Sequence, residues 1–185
     1  KGSMGQQGVL SIRGLSSDHI WDYENGFYWF SSPTRLNKML AHYELYKTIT
    51  NLPGEVFELG VYKSASLVRL ATFRNALEND FSRKIVGFDA FGKFPADNLS
   101  QQSDGKFIEK FEGAGGFGLS ISEVEQIFSG KGFSNVHLVK GNVFDTLPAY
   151  LGNRFRGTVS ARVPACMPLE AEVVCERVTV LWVRT

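Results

Sequence analysis

Short apolar runs separated by longer amphipathic stretches are the main pattern along residues 33–140. Three of these runs, 55–59, 85–88 and 136–139, are four or five residues long and rich in Val, Ile, Leu and Phe. Short apolar runs bounded by turn residues are typical of buried strands, whereas apolar residues three and four apart are typical of helices that cover a sheet. The pattern therefore predicts an α/β fold, a Rossmann-like parallel sheet with flanking helices.

Helical spacing predicts three helices, at about residues 33–50, 65–77 and 120–129. The first opens with Ser32 and Pro33, an N-cap followed by proline at the first helical position. Ser120 or Ser122 caps the third helix. Residues 90–120 are rich in glycine, and we expect a long loop or lid there because loops of this length in a compact domain are usually functional or mobile.

The N-terminal segment, residues 5–32, is rich in aromatic side chains. Asn25-Gly26 is a turn signal, and four consecutive aromatic residues follow at 27–30. In one interpretation the segment folds over a pocket as a lid. In the other its rings cover the core or pack in a subunit contact, because aromatic side chains supply a large buried area wherever they lie. Residues 1–4 are interpreted as a cloning remnant.

Polar residues mark the ends of the predicted strands. Glu58 lies inside the first run and Gly60 follows it, where the absence of a Cβ lets a ligand approach the backbone. Asp89 ends the second run, 31 residues after Glu58, and a carboxylate at this point of a β-α-β unit can accept two hydrogen bonds from a ribose diol. Asn142 follows the third run. Because parallel strands end at one edge of the sheet, these residues predict a nucleoside site.

Each of these positions also has an interpretation without a ligand. The first run is then a buried strand and a turn, and Asp89 caps the loop that follows it. His19, His42 and His137 are interpreted as packing or surface residues, so the catalytic residues remain unknown.

Composition narrows the classes of function. The chain has 185 residues, of which 43% are apolar, and a formal net charge of +1, so we expect one globular domain and no nucleic-acid partner. Cys166 and Cys175 are the only cysteines and lack metal-ligand spacing, which favours a reduced, cytoplasmic setting. No apolar run approaches the roughly 20 residues of a membrane span. Residues 1–150 contain no Walker loop, nucleophile elbow or metal-ligand spacing.

Three segments of the chain, 58–66 (ELGVYKSAS), 84–95 (KIVGFDAFGKFP) and 138–148 (LVKGNVFDTLP), resemble the first three strand motifs of class I S-adenosylmethionine-dependent methyltransferases. The nearest group is the macrocin and mycinamicin O-methyltransferase-like family, which methylates sugar hydroxyls in natural-product biosynthesis. The resemblance covers about residues 33–150. It implies an S-adenosylmethionine-dependent O-methyltransferase-like protein that acts on a hydroxyl group of a small molecule or sugar.

The resemblance also implies a set of cofactor-binding residues. Glu58 and Gly60 flank the methionine part of S-adenosylmethionine, and Ser66 belongs to the same turn. Asp89 holds the ribose. Asn142 and Val143 border the adenine. The family also uses Mg²⁺, which carboxylates of later strands bind, and the partners that follow are a small-molecule or sugar substrate and a possible homo-oligomer.

Two features depart from the family. Ser64 stands where the family usually has a second glycine. After Leu151 the family continues with an Asp-x-Asp-x-Tyr motif that is absent here, so the metal ligands are missing and the fold is expected to be incomplete relative to seven strands. Residues 152–185 hold five Arg and no Lys, whereas residues 1–150 hold ten Lys and five Arg. We interpret residues 152–185 as a shifted reading frame or truncation, the alternative being a genuine end with a strand at 177–183.

These departures predict impaired methyl transfer. One alternative is a non-catalytic remnant that binds cofactor or serves as an interaction protein. A less favoured alternative is an NAD-dependent oxidoreductase, against which the single glycine of the first turn counts, because dinucleotide-binding turns carry Gly-x-Gly-x-x-Gly.

Overall fold

The computed structural model describes residues 8–94, 102–152, 159–160, 174–175 and 178–180. The strands are β1 (Ser11–Ile12), β2 (Leu15–Ser16), β3 (Glu55–Leu59), β4 (Ile85–Asp89), β5 (Val136–Lys140), β6 (Val159–Ser160), β7 (Val174–Cys175) and β8 (Val178–Val180). The helices are α1 (Ile20–Phe30), α2 (Pro33–Lys47), α3 (Ala65–Leu77), α4 (Gln102–Gly115), α5 (Ile121–Gly130) and α6 (Val143–Gly152), with a 3₁₀ turn at Ser17–His19.

The central sheet has four parallel strands in the order β5-β4-β3-β8. The strands β3, β4 and β5 lie at the three apolar runs, so the predicted Rossmann-like parallel sheet is confirmed. The helices α2, α3 and α5 are confirmed as well. The third of these begins with a full capping box, in which Ser120 accepts a hydrogen bond from the Glu123 N–H and the Glu123 carboxylate accepts one from the Ser120 N–H.

Three helices were not predicted, and each contains residues that usually break helices. The turn predicted at Asn25-Gly26 is wrong, because both residues lie inside α1. The long loop predicted at 90–120 contains α4, and its residues 95–101 lie outside the described part. Helix α6 contains Pro148. A single glycine costs a helix only about 1 kcal/mol relative to alanine, which other interactions readily outweigh.

Apolar side chains form one cluster on each face of the sheet. On one face Val56 and Ile85 pack with side chains of α2, α3 and α5. On the other face Phe57 and Phe88 pack against α6, and the rings of both lie 5.5 Å from the Tyr150 ring in edge-on contacts. Gly87 lets α3 approach β4, since a Cβ there would lie 2.9 Å from Leu67. The alternating strand residues therefore hold helices on both faces.

The C-terminal region contributes one strand to the central sheet. Val178–Val180 pairs in parallel with β3, from Glu55–Val178 to Phe57–Val180, and lies within the range of the alternative interpretation, 177–183. The strands β6 and β7 pair antiparallel. The rest of 153–185, including Cys166, and residues 1–4 lie outside the described residues, so the reading-frame hypothesis stays a prediction. Among the described residues, none of the helices is long and apolar enough to cross a membrane.

Candidate functional site

The carboxyl ends of β3, β4 and β5 meet at one edge of the sheet. The Gly60 N–H donates to the Phe88 carbonyl at 2.8 Å, and the Gly141 N–H donates to the Asp89 carbonyl at 3.0 Å. These bonds place the first-strand turn beside Asp89, and Asp89 beside the loop that holds Asn142. The three polar positions found in the sequence therefore share one edge, as expected for parallel neighbours.

The turn after β3 alternates into the left-handed backbone region. Gly60 has φ 90°, Tyr62 has φ 49° and Ser64 has φ 62°. A Cβ at Gly60 would meet nothing within 4 Å, so the backbone there faces open space. Ligands approach a backbone most closely where no side chain intervenes, and Gly60 provides such a surface at the sheet edge.

The Asp89 carboxylate closes this turn onto β4. Its Oδ2 accepts the N–H groups of Val61 at 2.7 Å and Tyr62 at 3.0 Å, and its Oδ1 accepts the Phe91 N–H at 2.7 Å. Consecutive N–H groups beside left-handed residues form an anion-binding concavity, and here the anion is the chain's own carboxylate. The loop-capping interpretation of Asp89 is thus observed. A carboxylate has about four acceptor positions, so roughly one remains for a ribose hydroxyl, and ribose binding stays a prediction.

Glu58 is fully buried beneath the first turn of α3. The Ser66 hydroxyl donates to its Oε1, whereas its Oε2 has no hydrogen-bond partner. Burial raises the pKa of Glu58 to about 8, with the Asp89 charge acting in the same direction, while the Ser66 hydrogen bond and the charges of Arg69 and Lys38 oppose the rise. The carboxyl is therefore largely protonated at neutral pH, and it can ionise when a hydrogen-bond donor or a cation reaches Oε2.

Basic side chains surround Glu58 in the seam between α2 and α3. The Arg69 guanidinium lies 3.0 Å from His42 Nδ1. Burial, followed by the charges of Arg69 and Lys38, lowers the pKa of His42 to about 4. His42 is thus buried and neutral at pH 7, which agrees with its interpretation as a packing residue.

Ser64 has a strained backbone. The only sign of this in the sequence is that a serine stands where the family usually has a glycine. Its hydroxyl is buried and lacks a hydrogen-bond partner, and its backbone is left-handed. A left-handed conformation costs an L-residue roughly 1–2 kcal/mol. This cost explains why a glycine suits the position.

Asn142 and Val143 open α6. The Asn142 side-chain oxygen accepts the Phe144 N–H at 3.0 Å, which makes it a helix cap. The Val143 side chain packs with the Phe57 cluster. The first N–H groups of a helix have no partner within the helix. Those of Phe144 and Asp145 bind Asn142. This leaves the Val143 N–H as a donor to a base. Adenine contact stays a prediction.

The segment from Gly115 to Glu123 forms a strap across the first-strand turn, which the sequence did not reveal. The Leu119 N–H donates to the Tyr62 carbonyl at 2.8 Å, and the Tyr62 hydroxyl donates to the Gly115 carbonyl at 2.9 Å. Arg13, which lies between β1 and β2, holds the strap in place by donating to Glu123 at 2.7 Å. Its hydrogen bond, followed by that of the Ser120 N–H, lowers the pKa of Glu123 to about 2. Arg13 and Glu123 lie 110 positions apart, and no local sequence pattern indicates such a pair.

Metal ligands do not gather within the described residues. Across 8–94 and 102–152, no group of three His, Cys, Asp or Glu side chains is placed to hold an ion. The described side chains thus do not provide the Mg²⁺ site that the resemblance implies.

Comparison with known proteins gives one family. The sequence profile described as Macrocin-O-methyltransferase (TylF) matches residues 32–156, more than half of the chain. Curated proteins give no match. The apo structure of CalS11, a TDP-rhamnose 3'-O-methyltransferase of calicheamicin biosynthesis, is 22% identical with a TM-score of 0.46, over 77% of this chain and 56% of that chain. A second structure of CalS11, a calicheamicin methyltransferase, is 22% identical with a TM-score of 0.48, over 76% of this chain and 58% of that chain. The chain thus spans less than three fifths of the length of these structures.

Proposed function

Because the chain belongs to the macrocin O-methyltransferase (TylF) family, we propose that its sheet edge binds S-adenosylmethionine for O-methylation of a sugar-like acceptor. The observation that carries the proposal is the open backbone at Gly60, which follows Glu58 by two residues at the strand end, together with the buried Oε2 of Glu58, which has no partner. A buried carboxyl oxygen without a partner is costly unless a ligand supplies a donor. The ammonium group of the cofactor's methionine part is a donor of the required charge.

The hydrogen bonds of Asp89 favour a nucleoside ligand without phosphate groups. Pyrophosphate binding in dinucleotide folds uses the N–H groups of the first turn. Here the N–H groups of Val61 and Tyr62 already bind the Asp89 carboxylate, and a phosphate beside that carboxylate would meet a like charge. The arrangement favours S-adenosylmethionine over NAD.

S-Adenosylmethionine supplies a methyl group that is bound to a sulfonium sulfur. An acceptor oxygen attacks the methyl carbon in line with the S–C bond. In this step the S–CH₃ bond breaks as the O–CH₃ bond forms, and the hydroxyl proton passes to a base. The residues of this chain hold the donor and limit its motion, which is how positioning lowers the barrier. No described side chain is assigned as that base, and the acidic motif of the family is absent from the sequence. We therefore propose that the chain binds donor with impaired or absent turnover.

Calorimetric titration with three ligands tests the donor site. S-Adenosylhomocysteine is expected to bind, 5'-methylthioadenosine to bind more weakly because it lacks the amino-acid part, and NAD not to bind. Binding of NAD in preference to S-adenosylhomocysteine would reject the proposal.

A matched glycine pair locates the site. Gly60→Ala places a methyl group in the open space and strains a backbone with φ 90°. Gly14→Ala imposes the same kind of strain, since Gly14 has φ 81° and also faces open space, but it lies in the β1–β2 hairpin. Loss of S-adenosylhomocysteine binding only in Gly60→Ala supports the site, and equal loss in both variants counts against it.

Turnover is tested separately with labelled methyl donor and sugar acceptors that include TDP-rhamnose. We expect bound donor and no labelled product. Stoichiometric or catalytic labelling of a sugar would show that the impairment is wrong while leaving the donor site intact.

A further inference from the structure

The turn between β1 and β2 contains a residue that local preferences disfavour. Arg13 and Gly14 join the two strands, with φ of 48° and 81°. Two-residue hairpin turns with positive φ at both positions usually contain Asn-Gly, Asp-Gly or Gly-Gly, because these residues tolerate the left-handed region. An arginine is strained there, and strain that the surrounding structure maintains points to a function.

The Arg13 guanidinium reaches from this turn to the strap. It donates to the two carboxylate oxygens of Glu123 at 2.7 and 3.1 Å. It also donates to the Phe117 carbonyl at 2.7 Å and to the Gly118 carbonyl at 2.8 Å. A planar guanidinium can bind a carboxylate and two carbonyls at once because its donors form a fixed fork. The side chain therefore holds both the middle of the strap and its end.

The strap contacts the turns that follow two strands of the site. The Gly118 N–H donates to the Gly92 carbonyl at 3.0 Å, in the turn after β4. The Leu119 N–H donates to the Tyr62 carbonyl at 2.8 Å, in the turn after β3. A Cβ at Gly118 would lie 3.0 Å from the Gly92 carbonyl oxygen and 3.3 Å from that of Tyr62, so the strap backbone fills the space between the two turns. Displacement of the strap would remove a support from each of them.

These two turns carry groups that are proposed to hold the methyl donor. Gly60 lies in the turn after β3, and the Asp89 carboxylate at the end of β4 accepts the Tyr62 N–H. We infer that Arg13 is a positioning residue of the donor site, which acts on the two turns through the strap. This role rests on the proposed donor binding. It belongs to a residue outside 32–156, the part of the chain that matches the family profile.

Arg13→Asn separates this role from support of the hairpin. Asparagine suits the turn position better than arginine does, so the hairpin is kept while the guanidinium is lost. In calorimetric titration of the full chain we expect S-adenosylhomocysteine to bind at least about fivefold more weakly to this variant. Arg13→Lys keeps the charge without the planar fork, and its affinity is expected to lie between those of Arg13→Asn and the unchanged chain. Gly14→Ala is the matched control, because it strains the same turn and keeps the guanidinium, and its affinity is expected to be unchanged.

Amide hydrogen exchange without ligand gives a second measurement. The N–H groups of Gly118 and Leu119 are expected to exchange at least about fivefold faster in Arg13→Asn than in the unchanged chain, because the strap opens more often. Gly14→Ala is expected to leave both rates unchanged. The Val56 N–H, inside β3, is expected to exchange at the same rate in all variants. Since coupling is reciprocal, S-adenosylhomocysteine is expected to slow exchange at the two strap amides of the unchanged chain.

Different results reject the donor site and the role of Arg13. If the unchanged chain does not bind S-adenosylhomocysteine, the proposed function is rejected, and the positioning role is rejected with it. If the unchanged chain binds and Arg13→Asn binds equally well, only the positioning role is overturned. Equal weakening in Gly14→Ala and Arg13→Asn would also overturn it, as would unchanged exchange at Gly118 and Leu119 in Arg13→Asn.

Discussion

The two ends of the central sheet differ in how their buried polar groups are satisfied. At the amino edge, the buried guanidinium groups of Arg74 and Arg83 bind the loops that enter the strands. At the carboxyl edge, the buried oxygens of Glu58 Oε2 and Ser64 Oγ have no partner. The amino edge therefore stabilises the sheet, while the carboxyl edge has unpaired oxygens that can bind a ligand and a strained backbone.

Two buried arginines, Arg74 and Arg83, hold the loops together at the amino edge. Arg83 pairs with Glu78 at 2.7 Å and donates to three backbone carbonyls, those of Ile49, Thr50 and Leu52. Arg74 pairs with Asp80 at 2.7 Å and donates to the carbonyls of Arg83, Ser134 and Asn135. Arg74 Nε and Arg83 Nη1 lack partners, yet each group makes at least four hydrogen bonds. Planar guanidinium groups suit such multiple contacts.

Strain at one site persists only when the surrounding structure fixes it. The left-handed Tyr62 and Ser64 are fixed by Asp89, by the strap and by the sheet, and the amino edge stabilises the sheet as a whole. The difference between the two ends predicts that substitutions at the amino edge reduce stability, whereas substitutions at the carboxyl edge mainly change binding and pH dependence.

The largest expected effect is on Arg83. Arg83→Met leaves Glu78 buried without its cation and three carbonyls without their donor, so we expect unfolding free energy to fall by about 3–5 kcal/mol. Urea denaturation measures the change. Lys47→Met is the control, because Lys47 and Glu44 form an exposed pair whose removal costs at most about 1 kcal/mol. Equal losses of unfolding free energy in the two variants would contradict the stabilising role proposed for the amino edge.

Glu58 is expected to make stability depend on pH. Its pKa rises from 4.5 to about 8 on folding, so between these values the folded chain keeps a proton that the unfolded chain has lost. Stability should therefore fall as pH rises from about 4.5 to 8, by about 5 kcal/mol in all. Denaturation at several pH values measures this slope. Glu58→Gln should flatten it, and Glu125→Gln, at an exposed position on α5, should not. An unchanged slope in Glu58→Gln would contradict the assignment.

Asp89→Asn probes the junction between the first turn and β4. The variant weakens charge-assisted bonds to Val61 and Tyr62, and we expect a loss of about 2 kcal/mol together with weaker S-adenosylhomocysteine binding. Thermal unfolding and calorimetry measure the two effects. Asp22→Asn, at a position 81% exposed, is the control for removing one acid. Full binding in Asp89→Asn would place the ligand away from this strand end.

The smallest effect is a gain. Ser64→Gly removes left-handed strain and a buried hydroxyl without a partner, at the cost of greater chain entropy in the unfolded state, so we expect a net stabilisation of about 0.5–1 kcal/mol. Ala65→Gly, one residue further, lacks this strain and is expected to destabilise by about 0.5–1 kcal/mol. Chemical denaturation resolves the opposite signs. Destabilisation of both variants to the same extent would show that Ser64 is not strained.

Much of the fold could be predicted because periodicity is local. The apolar runs at β3, β4 and β5 and the spacing of α3 depend on residues adjacent in sequence. Helix α6 was missed because Pro148 suggests a break, and α1 was missed because Asn25-Gly26 suggests a turn. In both, neighbouring residues outweigh the breaker. The sequence also predicted that the polar residues at the ends of β3, β4 and β5 share one sheet edge, which the structure confirms, although their individual contacts were not predicted.

The sequence by itself determined the strands β3, β4 and β5, the helices α2, α3 and α5, the polar residues at the strand ends and the family. Only the tertiary structure decided that Asp89 binds the turn after β3, that Glu58 is buried with one free oxygen and that Arg13 fastens the strap to Glu123. The reason is distance along the chain. Periodic patterns act over a few residues, whereas these contacts join residues 27 to 110 positions apart, and burial, which sets the pKa of Glu58, arises only when the helices close over the sheet.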